Sequence, residues 1–196
     1  MKTRRLIAAG LLVPPVVVLG IAVSGSRAQQ APQVTATAFE APVEVDTASL
    51  KGPRQPIFFR HDVHAGQYEI DCQYCHVNAE ISPKPGIPTL YTCMNCHSIV
   101  AGTQESEKAE IQKFKQAYSE GTPIEWIEVH ELPPFVHFPH MIHVNAKEKY
   151  DFDCTQCHGQ VDREPQVYQY SSLKMGWCLD CHLKNEVTTD CTACHF

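Results

Sequence analysis

The pentapeptide C-x-x-C-H occurs five times in this chain and uses every cysteine the chain has. The copies are Cys72-Cys75-His76, Cys93-Cys96-His97, Cys154-Cys157-His158, Cys178-Cys181-His182 and Cys191-Cys194-His195. Alone, such a motif can be a redox-active dithiol or half of a zinc site. Five copies with no cysteine outside them argue against both, because zinc needs no histidine after every pair and a dithiol needs one pair. The pattern fits covalent haem attachment. Two cysteines three apart form thioethers to the vinyl groups of one porphyrin, and the adjacent histidine reaches the iron from the proximal side. The expected cofactors are therefore five covalently bound haem c groups, with His76, His97, His158, His182 and His195 as proximal ligands. Attachment of this type places the haem domain outside the cytoplasm.

Five haems on 196 residues leave little chain for a conventional apolar core. The porphyrins must supply much of it. The fold class expected is a multihaem cytochrome c of loops and short α-helices wrapped around haems, and the 14 prolines and 10 glycines agree. Net charge is -6, from 16 Lys and Arg against 22 Asp and Glu. No basic patch suggests nucleic acid. An acidic surface can steer a basic redox partner, or simply keep the protein soluble.

Residues 1–27 begin with Lys2, Arg4 and Arg5, and Leu6 to Val23 then run for 18 residues without a charge. A signal peptide ending near Ser26-Arg27-Ala28 is one reading. The other is a membrane anchor, since 18 residues of helix span roughly 27 Å. We expect one transmembrane helix kinked at Pro14-Pro15, with its basic end cytoplasmic and the haems on the periplasmic side. Residues 28–56, rich in Ala, Pro, Thr and Gln, read as an extended linker that a partner would have to order.

From residue 57 the chain repeats itself. Phe59-Arg60-His61-Asp62-Val63-His64 precedes the motifs at Cys72 and Cys93, and Phe138-Pro139-His140-Met141-Ile142-His143 precedes those at Cys154 and Cys178. Equivalent cysteines lie 82 and 85 residues apart. This points to two duplicated dihaem modules, 57–102 and 135–184, with a fifth haem at 185–196 and a connecting segment at 103–134. Within that segment the spacing of Ile111, Phe114 and Tyr118, with Gly121 beyond, predicts a helix over 103–119 that covers a haem edge.

Each module pairs histidines three apart with two haems, which makes His61, His64, His140 and His143 the candidate distal ligands. The fifth iron is left with Met175 or His130. A thioether would raise its potential relative to bis-histidine ligation. Met94, inside a motif loop, and Met141, between paired histidines, are poorly placed. No C-x-x-C-K motif of a lysine-ligated catalytic haem occurs, and no residue is assigned a catalytic role.

Several longer motifs resemble a known family. They are F-x-H-x-x-H-A-G-x-Y-x-I-D-C-x-Y-C-H at 59–76, I-P-T-x-x-T-C-M-N-C-H at 87–97, W-x-x-V-H-x-L-P at 126–133, F-x-H-x-x-H-V-N at 138–145, C-H-G-x-V-D at 157–162 and L-K-M-G-W-C-L-D-C-H at 173–182. Together they resemble the pentahaem cytochrome subunit of bacterial alternative complex III. His137 departs from that pattern, where an aromatic is commoner, and is set aside as a ligand. The resemblance implies an electron-relay subunit rather than an enzyme. Its implied partners are an iron-sulfur, molybdopterin-like subunit, quinol-binding membrane subunits, a monohaem cytochrome and a soluble electron acceptor. A stand-alone anchored quinol dehydrogenase and a multihaem reductase are the alternatives.

Overall fold

The computed structural model describes residues 42–196, and the expected membrane anchor lies outside the described residues. No helix among the described residues is long and apolar enough to cross a membrane. The described chain contains seven α-helices and no strand: α1 (Cys72–Cys75), α2 (Leu90–His97), α3 (Glu105–Glu120), α4 (His140–Ala146), α5 (Cys154–His158), α6 (Met175–Lys184) and α7 (Cys191–Cys194). A π-helical turn spans Asp62–Gln67, and short 3-10 turns lie at Val77–Ala79 and Val161–Arg163.

Every C-x-x-C-H motif sits on a helix, in one of two ways. Cys72, Cys154 and Cys191 each follow an aspartate, and Asp71, Asp153 and Asp190 accept hydrogen bonds from the backbone N–H of Gln73, Thr155 and Thr192. The aspartate thus caps a single turn that begins at the first cysteine. The motifs at Cys93 and Cys178 are instead carried by the longer α2 and α6, which begin three residues earlier. Residues 57–102 and 135–184, the two expected modules, thus each contain a capped turn followed by a longer helix.

The longest helix, α3, is closed at both ends by its own sequence. Gln104 and Glu107 form a capping box, and Gly121 ends it at φ 68°, where a side chain would be strained. It buries Ile111, Phe114 and Ala117. Tyr118, expected on this face, is 42% exposed, and Ala117 takes its place because one helical position rotates it inward. Phe114 meets the ring of His97 edge-on at 5.2 Å. Phe114→Ala is expected to cost about 3 kcal/mol and to lower the Tm of the full chain, measured by thermal unfolding.

Otherwise the core is thin. The buried apolar residues among those described are Ile57, Val63, Ile111, Phe114 and Ala117, while Tyr74, Tyr91, Ile99 and Trp177 beside the motifs stay exposed. A chain of this length normally buries far more. Residues 42–56, expected to need a partner, dock on the chain itself. Arg60 and Gln104 donate to the carbonyls of Val43 and Pro42, Gln55 makes two hydrogen bonds with Ile127, and Gln166 donates to the carbonyls of Lys51 and Gly52. One side chain of the segment, Gln55, and three from elsewhere in the chain tie it down.

Candidate haem-binding centre

The two F-x-H-x-x-H segments, although one is a π-helical turn and the other α-helical, arrange their rings alike. Phe59 stacks on His64 at 4.4 Å and meets His61 edge-on at 4.8 Å. Phe138 stacks on His143 at 4.1 Å and meets His140 edge-on at 5.2 Å. In both, Nδ1–H of the second histidine donates to a carbonyl four residues back: His64 to Arg60 at 2.8 Å and His143 to Pro139 at 3.1 Å. A carbonyl can only accept, so the proton is fixed on Nδ1 and the Nε2 lone pair is left for a metal. Three of the five motif histidines follow the same rule. His97, His182 and His195 donate through Nδ1 to the carbonyls of Val100 at 3.0 Å, Thr188 at 2.6 Å and Phe135 at 3.1 Å.

The spacing between rings tests whether an iron fits between them. Two imidazoles on opposite sides of one metal, each bonded at about 2.0–2.1 Å with about 1.1 Å from nitrogen to ring centre, have centroids about 6.2–6.4 Å apart, and spacings within a few tenths of an ångström of that admit a metal. His64 and His97 are 6.0 Å apart, His143 and His182 are 6.2 Å apart, and His140 and His158 are 5.9 Å apart. All three pairs fit. His61 lies close enough to His76 for their charges to interact, and its Nδ1 is buried without a hydrogen-bond partner. Burial, with His76 and His64 nearby, lowers its pKa to about 4. Burial also lowers His64, His76, His130, His140 and His143, and lowers His158 to about 4. These imidazoles are thus neutral near pH 7, the form that ligates metals.

His130 and Met175 occupy different places. The His130 ring crosses that of His158 at 4.5 Å and 73°, too close for the two to flank one metal, and its Nε2 is buried without a partner. Met175 opens α6, is 59% exposed and stands one turn before Cys178, whose thiol is raised by burial and by the Cys194 thiol beside it. His137 stacks on Phe196 at 3.9 Å, and its Nε2 is hydrogen-bonded to the Phe196 carbonyl. It braces the last motif, where its backbone N–H donates to the Cys194 carbonyl at 2.8 Å.

Sequence reasoning missed the phenylalanine of each repeat as a clamp on both histidines, and it missed the aspartate caps. The Asp-Cys dipeptides and the recurrent Phe two residues before the first histidine were the available signals. None of the ten cysteines is paired in a disulfide, and among the described residues no three of His, Cys, Asp and Glu converge to hold a metal ion unaided. Cysteine pairs beside a histidine, with a second imidazole about 6 Å away, are the donor set that would hold an iron carried by a covalently attached porphyrin.

Comparison with known proteins agrees. The chain is 29% identical over 159 residues to the menaquinone reductase multihaem cytochrome c subunit of Nitratidesulfovibrio vulgaris, covering 71% of this chain and 74% of that protein. The model of the class III cytochrome c family matches residues 35–132, half of the chain, including the first histidine pair and the first two attachment motifs. With its attachment motifs on helices and its imidazoles paired across metal-sized gaps, the chain belongs to the class III cytochrome c family.

Proposed function

We propose that this chain is the electron-relay subunit of a membrane complex that exchanges electrons with quinone, of the alternative complex III type, and that it carries five haem c groups. The carrying observation is the set of imidazole pairs about 6 Å apart. An iron held between two fixed imidazoles has no site for substrate, so the residues favour outer-sphere electron transfer over reductase chemistry. Haem c supplies one-electron exchange between ferric and ferrous iron.

On this reading the distal and proximal ligands pair as His64 with His97, His140 with His158 and His143 with His182, which the ring spacings support, and His61 with His76 and Met175 with His195 complete the set. His130 is a neighbour of His158. The hydrogen-bonded carbonyls hold His64, His97, His143, His182 and His195 in the ligating tautomer, and Phe59 and Phe138 fix the angle between paired rings. The anchor at residues 1–27 would hold the domain at the periplasmic face, beside quinol-binding, iron-sulfur and monohaem cytochrome subunits.

Purification from native membranes tests this. The expected result is co-purification with membrane subunits, five haems per chain by pyridine haemochrome assay, reduction by added menaquinol, and no binding of carbon monoxide. A haem in the native protein that binds carbon monoxide or nitrite would overturn the relay reading. The name of the Nitratidesulfovibrio relative favours a second reading in which electrons run towards the quinone. Haems that menaquinol leaves oxidised, but that menaquinone reoxidises, would select that direction.

A further inference from the structure

The two histidine-led repeats hold each other reciprocally. The first repeat's π-helical turn leans on the turn that follows the second repeat's first motif. There Asp62 N–H donates to the Glu164 carbonyl at 3.3 Å, and a Cβ at Gly66 would lie 2.1 Å from the Asp162 carbonyl oxygen. In return, α4 of the second repeat leans on the turn that follows the first repeat's first motif. His140 and Met141 N–H donate to Pro83 and Ser82 at 3.1 and 3.2 Å, Asn145 donates to the Glu80 carbonyl at 2.9 Å, and Lys147 pairs with Glu80 at 3.7 Å. Segment i of one half meets segment j of the other, and j meets i, which is the signature of a twofold interface.

That interface brings the two first motifs together. His140, whose N–H donates to the Pro83 carbonyl of the first repeat, faces His158 of the second repeat's first motif at 5.9 Å, and Cys72 lies near Cys154. On one side of the seam Cys75 neighbours Cys93 and Cys96, and Asn95 donates to the Tyr74 hydroxyl at 3.3 Å, joining the first motif to the second. On the other side Cys157 neighbours Cys178 and Cys181, and Cys178 neighbours Cys194.

We propose that the repeats form an internal pseudo-twofold pair with the Cys72 and Cys154 attachment sites at its seam. The five sites then form one unbranched file that departs from chain order: Cys93–Cys96, Cys72–Cys75, Cys154–Cys157, Cys178–Cys181, Cys191–Cys194. Electron transfer through the chain accordingly has two ends, at residues 93–97 and 191–195, and every electron crossing between the repeats passes the seam. The inference rests on the five-haem relay reading above.

The test uses the full haem-loaded chain. His64→Met labels the haem of Cys93–Cys96 and His61→Met labels that of Cys72–Cys75. Each is followed by haem count, by the near-infrared methionine–iron band and by potentiometric titration with electron paramagnetic resonance. Charge on one haem moves the midpoints of its immediate neighbours. The expected result is that His64→Met shifts the midpoint of one other haem and His61→Met shifts two. Two or more shifted neighbours for His64→Met, or one for His61→Met, would overturn the file. A variant that matures with fewer than five haems is replaced by Gly66→Ala, which keeps every ligand and forces the seam apart. It should weaken the interaction between the two central haems, and an unchanged titration overturns the seam. A wild-type count other than five, or a five-coordinate wild-type haem, sinks the relay reading instead.

Discussion

His143→Ala will convert one six-coordinate haem of the full chain into a high-spin haem that binds carbon monoxide, one per chain, where the wild type binds none. The expectation follows from the 6.2 Å spacing of His143 and His182 and from the Nδ1–H of each, which donates to a carbonyl and leaves Nε2 free. Removing the imidazole leaves a site with no nearby replacement of the right reach, because His140 is held 5.9 Å from His158 by the same helix. His143→Met should keep the iron six-coordinate and raise that haem's midpoint, by on the order of a hundred millivolts, within the ≈ 0.8 V range that axial ligands set. His137→Ala serves as the contrast: its ring stacks on Phe196 at 3.9 Å rather than facing a motif histidine, so coordination should not change. The measurements are the high-spin electron paramagnetic resonance signal, the carbon monoxide difference spectrum and a redox titration. A His143→Ala protein that stays low-spin and ignores carbon monoxide would remove His143 from the ligand set.

Much of this site is legible in the sequence because covalent haem attachment imposes a strict local spacing. Cys72, Cys75 and His76 must lie within one turn whatever surrounds them, and the capping Asp71 stands next to them in the chain. The helix at 105–120 is equally local, fixed by its capping box, its apolar stripe and Gly121. What stayed hidden depends on residues far apart in sequence. Nothing in the local pattern says that Asp62 meets Glu164 or that Asn145 meets Glu80, so the reciprocal packing of the repeats could not be read from it. His130 is another case. As one spare histidine among six it looked free to serve the fifth iron, and its place against His158 emerges only when residues 122–134 fold back onto α5. Gln55 misled for a related reason: a polar side chain that marks a solvated linker in sequence here satisfies backbone groups of Ile127 across the fold.

The last iron separates two candidates that the sequence left level. His130 is confined at 4.5 Å from His158, whereas Met175 stands on α6 three residues before Cys178, on the helix face from which Cys178 approaches Cys194. Its exposure leaves the thioether free to turn towards the fifth attachment site. On that assignment the haem of Cys191 and Cys194 has histidine–methionine ligation and the highest midpoint of the five, because thioether stabilises ferrous iron more than imidazole does. Met175→His should lower that midpoint by on the order of a hundred millivolts, while the near-infrared methionine–iron band disappears. Met175→Ala should open the same iron to carbon monoxide. His130→Ala should leave the fifth midpoint and the methionine band untouched and perturb the haem held by His140 and His158, from whose edge a buried ring has been removed. Five unchanged midpoints in Met175→His, with the methionine band absent from the wild type, would take Met175 out of the ligand set and return the fifth iron to a histidine.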